Sequence, residues 1–257
     1  GKFSNPNISS NIYSEVVWDA DIQPEGTAFS WESQGGSGKS TWQLTNGSYL
    51  ISQFSEGNQK NWLNNTQLAW RGKLAADWNF TLASNMYYFA NIKDLEIGES
   101  FLDANEGNST YMQSTSIDNE EIITHHYATD FHILENFALL QYNGLKMPLM
   151  LKIEWLKNFG AEESNTGTVW GISYGDLRTK GQWKVFYQYQ HIETDAIFKP
   201  YAQDDFLSRT NSNGHVISAA YNVHRLVSVQ AWALLDSQIQ GESLSQSRFR
   251  LDLNVKF

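Results

Sequence analysis

Glu193 and Asp195 stand two residues apart in HIETDA, so on a strand both carboxylates point to the same side, as a general acid and base would need. A charged strand end explains them equally, and no G-x-S-x-G elbow or recognisable histidine triad accompanies them. GGSGKS at 35–40 has the outline of a phosphate-binding loop. That pattern requires glycine where Ser33 stands and a helix to present its amides, and the sequence offers neither, so the stretch reads as a short flexible turn. His125 and His126 follow Glu120 and Glu121, with His132 further on. A metal site would need these groups to converge with a second shell, and solvated loop histidines are the simpler reading. Asp19, Asp21 and Glu25 in WDADIQPEG offer oxygen ligands but fall short of a calcium loop, and Pro24 with Gly26 suits a packed loop ending in a turn. The expectation is therefore no catalytic residue, no metal ligand, no cofactor and no enzymatic activity.

The elements around these residues are more informative. RFRLDLNVKF at the C-terminus alternates Phe249, Leu251, Leu253, Val255 and Phe257 with Arg248, Arg250, Asp252, Asn254 and Lys256, which places all the apolar groups on one face of a strand. The pattern recurs upstream in segments of about ten residues. RLVSVQAWALL sets Val227, Val229, Ala231, Ala233 and Leu235 against Ser228 and Gln230. NGHVISAAYNV carries Ile217, Ala219, Tyr221 and Val223 on one side. GQWKVFYQYQHIE sets Trp183, Val185, Tyr187 and Tyr189 against Lys184, Gln188 and Gln190, and MPLMLKIEWLKNF sets Leu149, Leu151, Ile153, Trp155 and Phe159 against Lys152, Glu154 and Asn158. Further strands are expected at 168–177, 131–143, 77–91, 62–74, 40–55 and 27–34.

The connections alternate between tight turns (QGGSGK, AAD, NGLKMP, DLRTK, VHR) and longer polar stretches, the longest at 92–130. A meander with short turns at one rim and long loops at the other predicts an all-β, antiparallel, up-and-down transmembrane barrel of about 12 strands, with lipid meeting the apolar rows. No stretch approaches the roughly 20 apolar residues of a spanning helix. The net charge of −10 and the want of a Lys/Arg cluster argue against a nucleic-acid partner. With no cysteine, disulfides and thiolate metal sites are excluded. The chain reads as one domain over 1–257, with 92–130 a long extracellular loop.

WDADIQPEG at 18–26, YYFANI at 87–92, LKNFG at 156–160, GDLRTKGQWKVFYQYQHIETDA at 175–196 and NGHVISAAYNV before the Phe-ending strand together resemble the bacterial outer-membrane putative porin family. The likeness runs from about residue 15 to the end and matches the C-terminal barrel portion of that family. It implies an outer-membrane location and a further N-terminal section in family members, which would bring the barrel to as many as about 16 strands. It also implies that the row Phe249, Leu251, Leu253, Val255 and Phe257 is an assembly signal read by the barrel-insertion machinery.

On this reading Lys152, Glu154, Lys184, Gln188, Gln190, Gln230, Arg248, Arg250, Asp252 and Lys256 face a lumen, and the function is passive diffusion of small hydrophilic solutes or ions. Aromatics towards strand ends, among them Trp78, Trp155, Trp170, Tyr174 and Trp183, fit interfacial girdles. Two alternatives remain open: a structural barrel without an open pore, acting as partner in an envelope assembly or as a homo-oligomer, and a carbohydrate-binding β-sandwich using the aromatics as platforms. Outer-membrane lipid is the one partner all barrel readings share.

Overall fold

The computed structural model describes residues 1–2, 4–7, 15–35, 39–52, 60–97, 107–117, 120–203, 209–241 and 244–256. Eleven strands form one antiparallel sheet in chain order: β1 (Glu25–Gln34), β2 (Ser40–Ser52), β3 (Asn61–Lys73), β4 (Trp78–Ala90), then β7 (Phe131–Tyr142), β8 (Leu149–Asn158), β9 (Thr166–Gly175), β10 (Trp183–Ile192), β11 (Ser212–His224), β12 (Val227–Gln238) and β13 (Ser245–Val255). A separate hairpin, β5 (Thr110–Ile117) and β6 (Glu120–Tyr127), occupies part of the long connection between β4 and β7. The expected meander is present, with most strand limits moved by a residue or two and β2 described to Ser52 where 55 was expected. One expectation changes: His125 and His126 lie on β6 rather than in an irregular loop. The tip of the GGSGKS turn and Phe257 fall outside the described residues.

Among the described residues the sheet is open rather than a closed barrel of twelve: β13 pairs only with β12, and β1 pairs with β2 and, on its other edge, makes a single antiparallel bridge from Glu25 to Lys2. Eleven antiparallel strands make these two edges run in the same direction.

The two faces of the sheet differ as the alternation requires. Leu151, Ile153 and Trp155 on β8, Trp183 and Val185 on β10, and Ile217, Tyr221 and Val223 on β11 are all exposed. Phe249, Leu251 and Leu253 on β13 reach 79, 74 and 68 % exposure. Such an expanse of exposed apolar side chains demands an apolar surrounding. Rings crowd the boundaries of this face. At the end with short turns Trp42 stacks on Trp70 at 5.3 Å, and Trp78 packs on Tyr142 at 4.6 Å. At the end with long connections Tyr88 stacks on His132 at 4.4 Å, whereas Trp170 meets Tyr187 at 5.3 Å at mid-strand.

The opposite face is covered. Its largest apolar cluster sits at the long-connection end, where Tyr49, Leu63, Phe89, Phe131, Ile133, Leu156 and Ile192 from the strands meet Val16–Trp18 and Ala196–Tyr201 from the connections. Gly47 on β2 is required for this packing, because a Cβ there would run into the Tyr49 ring. Towards the short turns Leu139, Met150, Phe186, Val216 and Leu234 form a second, smaller cluster.

Candidate functional site

Interleaved with the smaller of these clusters, the covered face carries a polar belt. β7 points Glu135 into it, β8 Lys152 and Glu154, β9 Ser173, β10 Gln188 and Gln190, β11 Ser218 and β12 Asp236, all buried. The period of two puts them there, because each is flanked in sequence by residues of the exposed face. Lys152 Nζ lies 3.3 Å from Glu154 Oε2, and both side chains are fully removed from solvent. Glu135 accepts hydrogen bonds from Asn85 Nδ2 and, at 3.2 Å, from the Tyr87 hydroxyl. Tyr87 in turn accepts from Asn7 Nδ2 at 3.2 Å, and Asn65 Nδ2 donates to Asn7 Oδ1 at 2.9 Å. Two buried carboxylates and one ammonium therefore share the centre of the belt, and the segment around Asn7 is tied to it by amides. Gln188 and Gln190 have buried amide groups with no hydrogen-bond partner among the described residues, as does the Ser173 hydroxyl.

The other residues expected on this face are less covered. Lys184, Gln230, Arg248 and Asp252 are half-buried, whereas Arg250 and Lys256 are exposed. Gln230 Nε2 donates to Ser218 Oγ at 2.8 Å. Asp252 receives Trp232 Nε1 and Arg250 Nε, each at 2.8 Å, and the Arg250 guanidinium lies 5.9 Å from the Trp232 ring centre. These groups gather at the open β13 edge, where no further strand shields them.

What the sequence reading missed is the cap over the belt. Trp18 sits 5.0 Å from Tyr49 and 5.6 Å from Tyr201, and its Nε1 donates to Ile22 O at 2.9 Å. Phe198 packs against Phe89, Tyr127 and Phe131 at 5.2, 5.5 and 5.2 Å. Asn108 latches this connection from outside: its Nδ2 donates to Thr194 O and Ile197 O at 2.8 and 2.9 Å, and its Oδ1 receives the Lys199 N–H at 2.9 Å. Asp195 accepts the Ser109 N–H at 2.9 Å, and its burial raises the carboxyl above the usual Asp range. Burial likewise raises the Tyr201 phenol. Glu193 and Asp195 thus anchor two different backbone segments, Glu193 receiving Thr166 N and Oγ1 at 2.7 and 2.8 Å, and do not form an acid–base pair. The missed signal was the run AIFKPY, too apolar for the polar loop in which it was placed.

Among the described residues no three His, Cys, Asp or Glu side chains converge to hold a metal. Asp19 Oδ1 instead accepts the Asp21 N–H at 2.8 Å, and Glu25 lies in β1, paired with Leu50 and bridged to Lys2.

A single meandering antiparallel sheet, apolar and exposed on one face and with buried polar groups among apolar clusters on the other, defines a β-rich, porin-like protein. The chain belongs to the family described as "Putative porin", whose model matches residues 1–257. No curated protein is significantly similar to it. Membership carries a general outer-membrane role in transport or structure.

Proposed function

We propose that this chain forms the wall of an outer-membrane porin through which small hydrophilic solutes or ions diffuse passively, and that the eleven strands are closed into a barrel by strands outside this set. The exposed apolar face meets lipid, the short turns lie in the periplasm, and the long connections, including 92–130, lie outside the cell. The polar belt, with Lys152, Glu154, Lys184, Gln188, Gln190, Gln230, Arg248, Arg250, Asp252 and Lys256, lines the lumen. The β13 row from Phe249 to Phe257 faces lipid and is the signal for the insertion machinery.

The observation that carries this reading is the division of one continuous sheet into an exposed apolar face and a covered face that holds Glu135, Lys152, Glu154, Gln188 and Gln190. A membrane strand alternates in this way, apolar towards lipid and polar towards the interior. The full-length protein in planar lipid bilayers should give stepwise conductance, and its absence from correctly inserted protein would overturn the pore. A structural barrel without an open pore is the second reading. It is supported by the complete burial of the Lys152–Glu154 pair and by the aromatic cap, and a closed bilayer would favour it. A β-sandwich has no support from eleven strands in one consecutive sheet.

A further inference from the structure

The exposed face of the sheet is nearly free of titratable groups apart from tyrosine. Glu25 sits at the β1 edge and His224 at a bulge beside the Arg225 turn. The rest are His132, Lys157, His191 and His215, which occupy β7, β8, β10 and β11 at the long-connection end. Strand pairing places them along one line: Leu134, next on the exposed face to His132, faces Lys157, Lys157 faces Thr166, Thr168 faces His191, and Tyr189 faces His215.

Each is held by a neighbour. The Lys157 ammonium lies 5.9 Å from the Phe159 ring centre, and His132 stacks on Tyr88. His191 Nδ1 is 2.6 Å from Asn213 Oδ1, an oxygen that also accepts the Tyr189 hydroxyl, so this ring nitrogen carries the proton and Nε2 stays available. His215 Nδ1 pairs with the Tyr187 hydroxyl at 2.9 Å, again leaving Nε2 available. Two carboxylates flank the row in sequence: Glu193, two residues after His191, is turned onto Thr166 N and Oγ1, and Asp130, two before His132, accepts the Lys93 N–H at 3.4 Å.

We infer that this row is a binding surface for the phosphate groups of an outer-leaflet lipid, with the acyl chains lying on the apolar strip below it. The inference rests on the membrane-barrel reading proposed above. Charge complementarity carries it. A chain of net charge −10 with acidic connections sets the Lys157 ammonium and three imidazoles, and no carboxylate, along the boundary of its apolar face on these four strands. A free phosphate would find no reason to sit where the apolar strip begins, whereas a lipid joins both chemistries in one molecule.

The test uses full-length protein folded into nanodiscs doped with bisphosphorylated lipid A or with its dephosphorylated form, followed by native mass spectrometry of the lipid retained after extraction. The wild type should retain the phosphorylated lipid preferentially. Lys157→Gln should weaken that retention about fivefold, and adding His191→Gln with His215→Gln should weaken it further. Lys146→Gln, at the short-turn end, should leave it unchanged. Heat-modifiable electrophoretic mobility reports whether each variant is folded. Folded wild type that retains both lipids equally, or variants that retain as much as wild type, would overturn the lipid site while leaving the barrel intact. Wild type that stays monodisperse without detergent and inserts in no bilayer would overturn both readings.

Discussion

Lys152 and Leu151 are neighbours in sequence and opposites in environment. Leu151 is exposed on the apolar face, so Leu151→Arg places a charge in lipid and should cost about 2–4 kcal/mol near the midplane. Lys152 is buried against Glu154, and breaking a buried ion pair by removing one member costs about 3–5 kcal/mol, whereas replacing both with apolar groups is often close to neutral. Lys152→Met should therefore be as damaging as Leu151→Arg, and only the Lys152 defect should be repaired by adding Glu154→Met. Urea unfolding in detergent micelles measures this, and additive losses in the double variant would show the pair is not coupled. Asp195 gives a pH signature. Its carboxyl is raised by burial in the folded protein, so the fold holds that proton more tightly than the unfolded chain does. Stability from this group is complete below the ordinary Asp range, about pH 4, and is lost as pH rises through the raised value. Asp195→Asn keeps an acceptor for the Ser109 N–H and should flatten the dependence, measured as hydrogen exchange of residues 194–203 against pH.

At the scale of elements, strands and cap are held by different means. The strands carry a continuous ladder of pairs, whereas the cap depends on a few rings, with Trp18 touching Tyr49 and Tyr201. A core Trp→Ala change costs about 3–5 kcal/mol. Trp18→Ala should raise proteolytic cleavage within 194–203 while the strand signal in circular dichroism is unchanged, since weakly connected units open first. Loss of both together would show that the cap is no separable unit. The strands were legible because a period of two persists over ten residues or more, and no helix period competes. On β8 the same alternation already put Lys152 and Glu154 opposite Leu151. The cap was not legible. Its apolar residues come as the short runs VVW and AIF in connections, without a period, and their burial arises only when segments far apart in sequence meet over the sheet. The hairpin β5–β6 was hidden for a related reason: its strands are mostly exposed and polar, so alternation carries little contrast.

At the scale of the molecule, direction decides closure. β1 and β13 run the same way, so the two edges cannot meet as antiparallel neighbours, and an odd number of further strands must stand between them in an antiparallel barrel. The edges themselves fit this requirement. β1 is exposed on both faces, and the polar side of β13 is the least covered of the expected lumen rows, as ends of a wall still lacking neighbours would be. One intervening strand separates the edge Cα atoms by about 9–10 Å, beyond the roughly 7 Å limit of a disulfide, while direct parallel pairing would bring them to about 5 Å. The chain has no cysteine, so pairs of engineered ones report without background. In the full-length protein, cysteines scanned along Thr27–Ser33 against Ser247–Leu253 should form no disulfide under oxidation. Control pairs across β12 and β13, such as Val229→Cys with Leu253→Cys, which face each other, should form one readily. A strong cross-link between β1 and β13 would mean that eleven strands close on themselves through a parallel seam. The lumen would then be the narrow, filled interior already occupied by the cap, and the structural reading would replace the diffusive one.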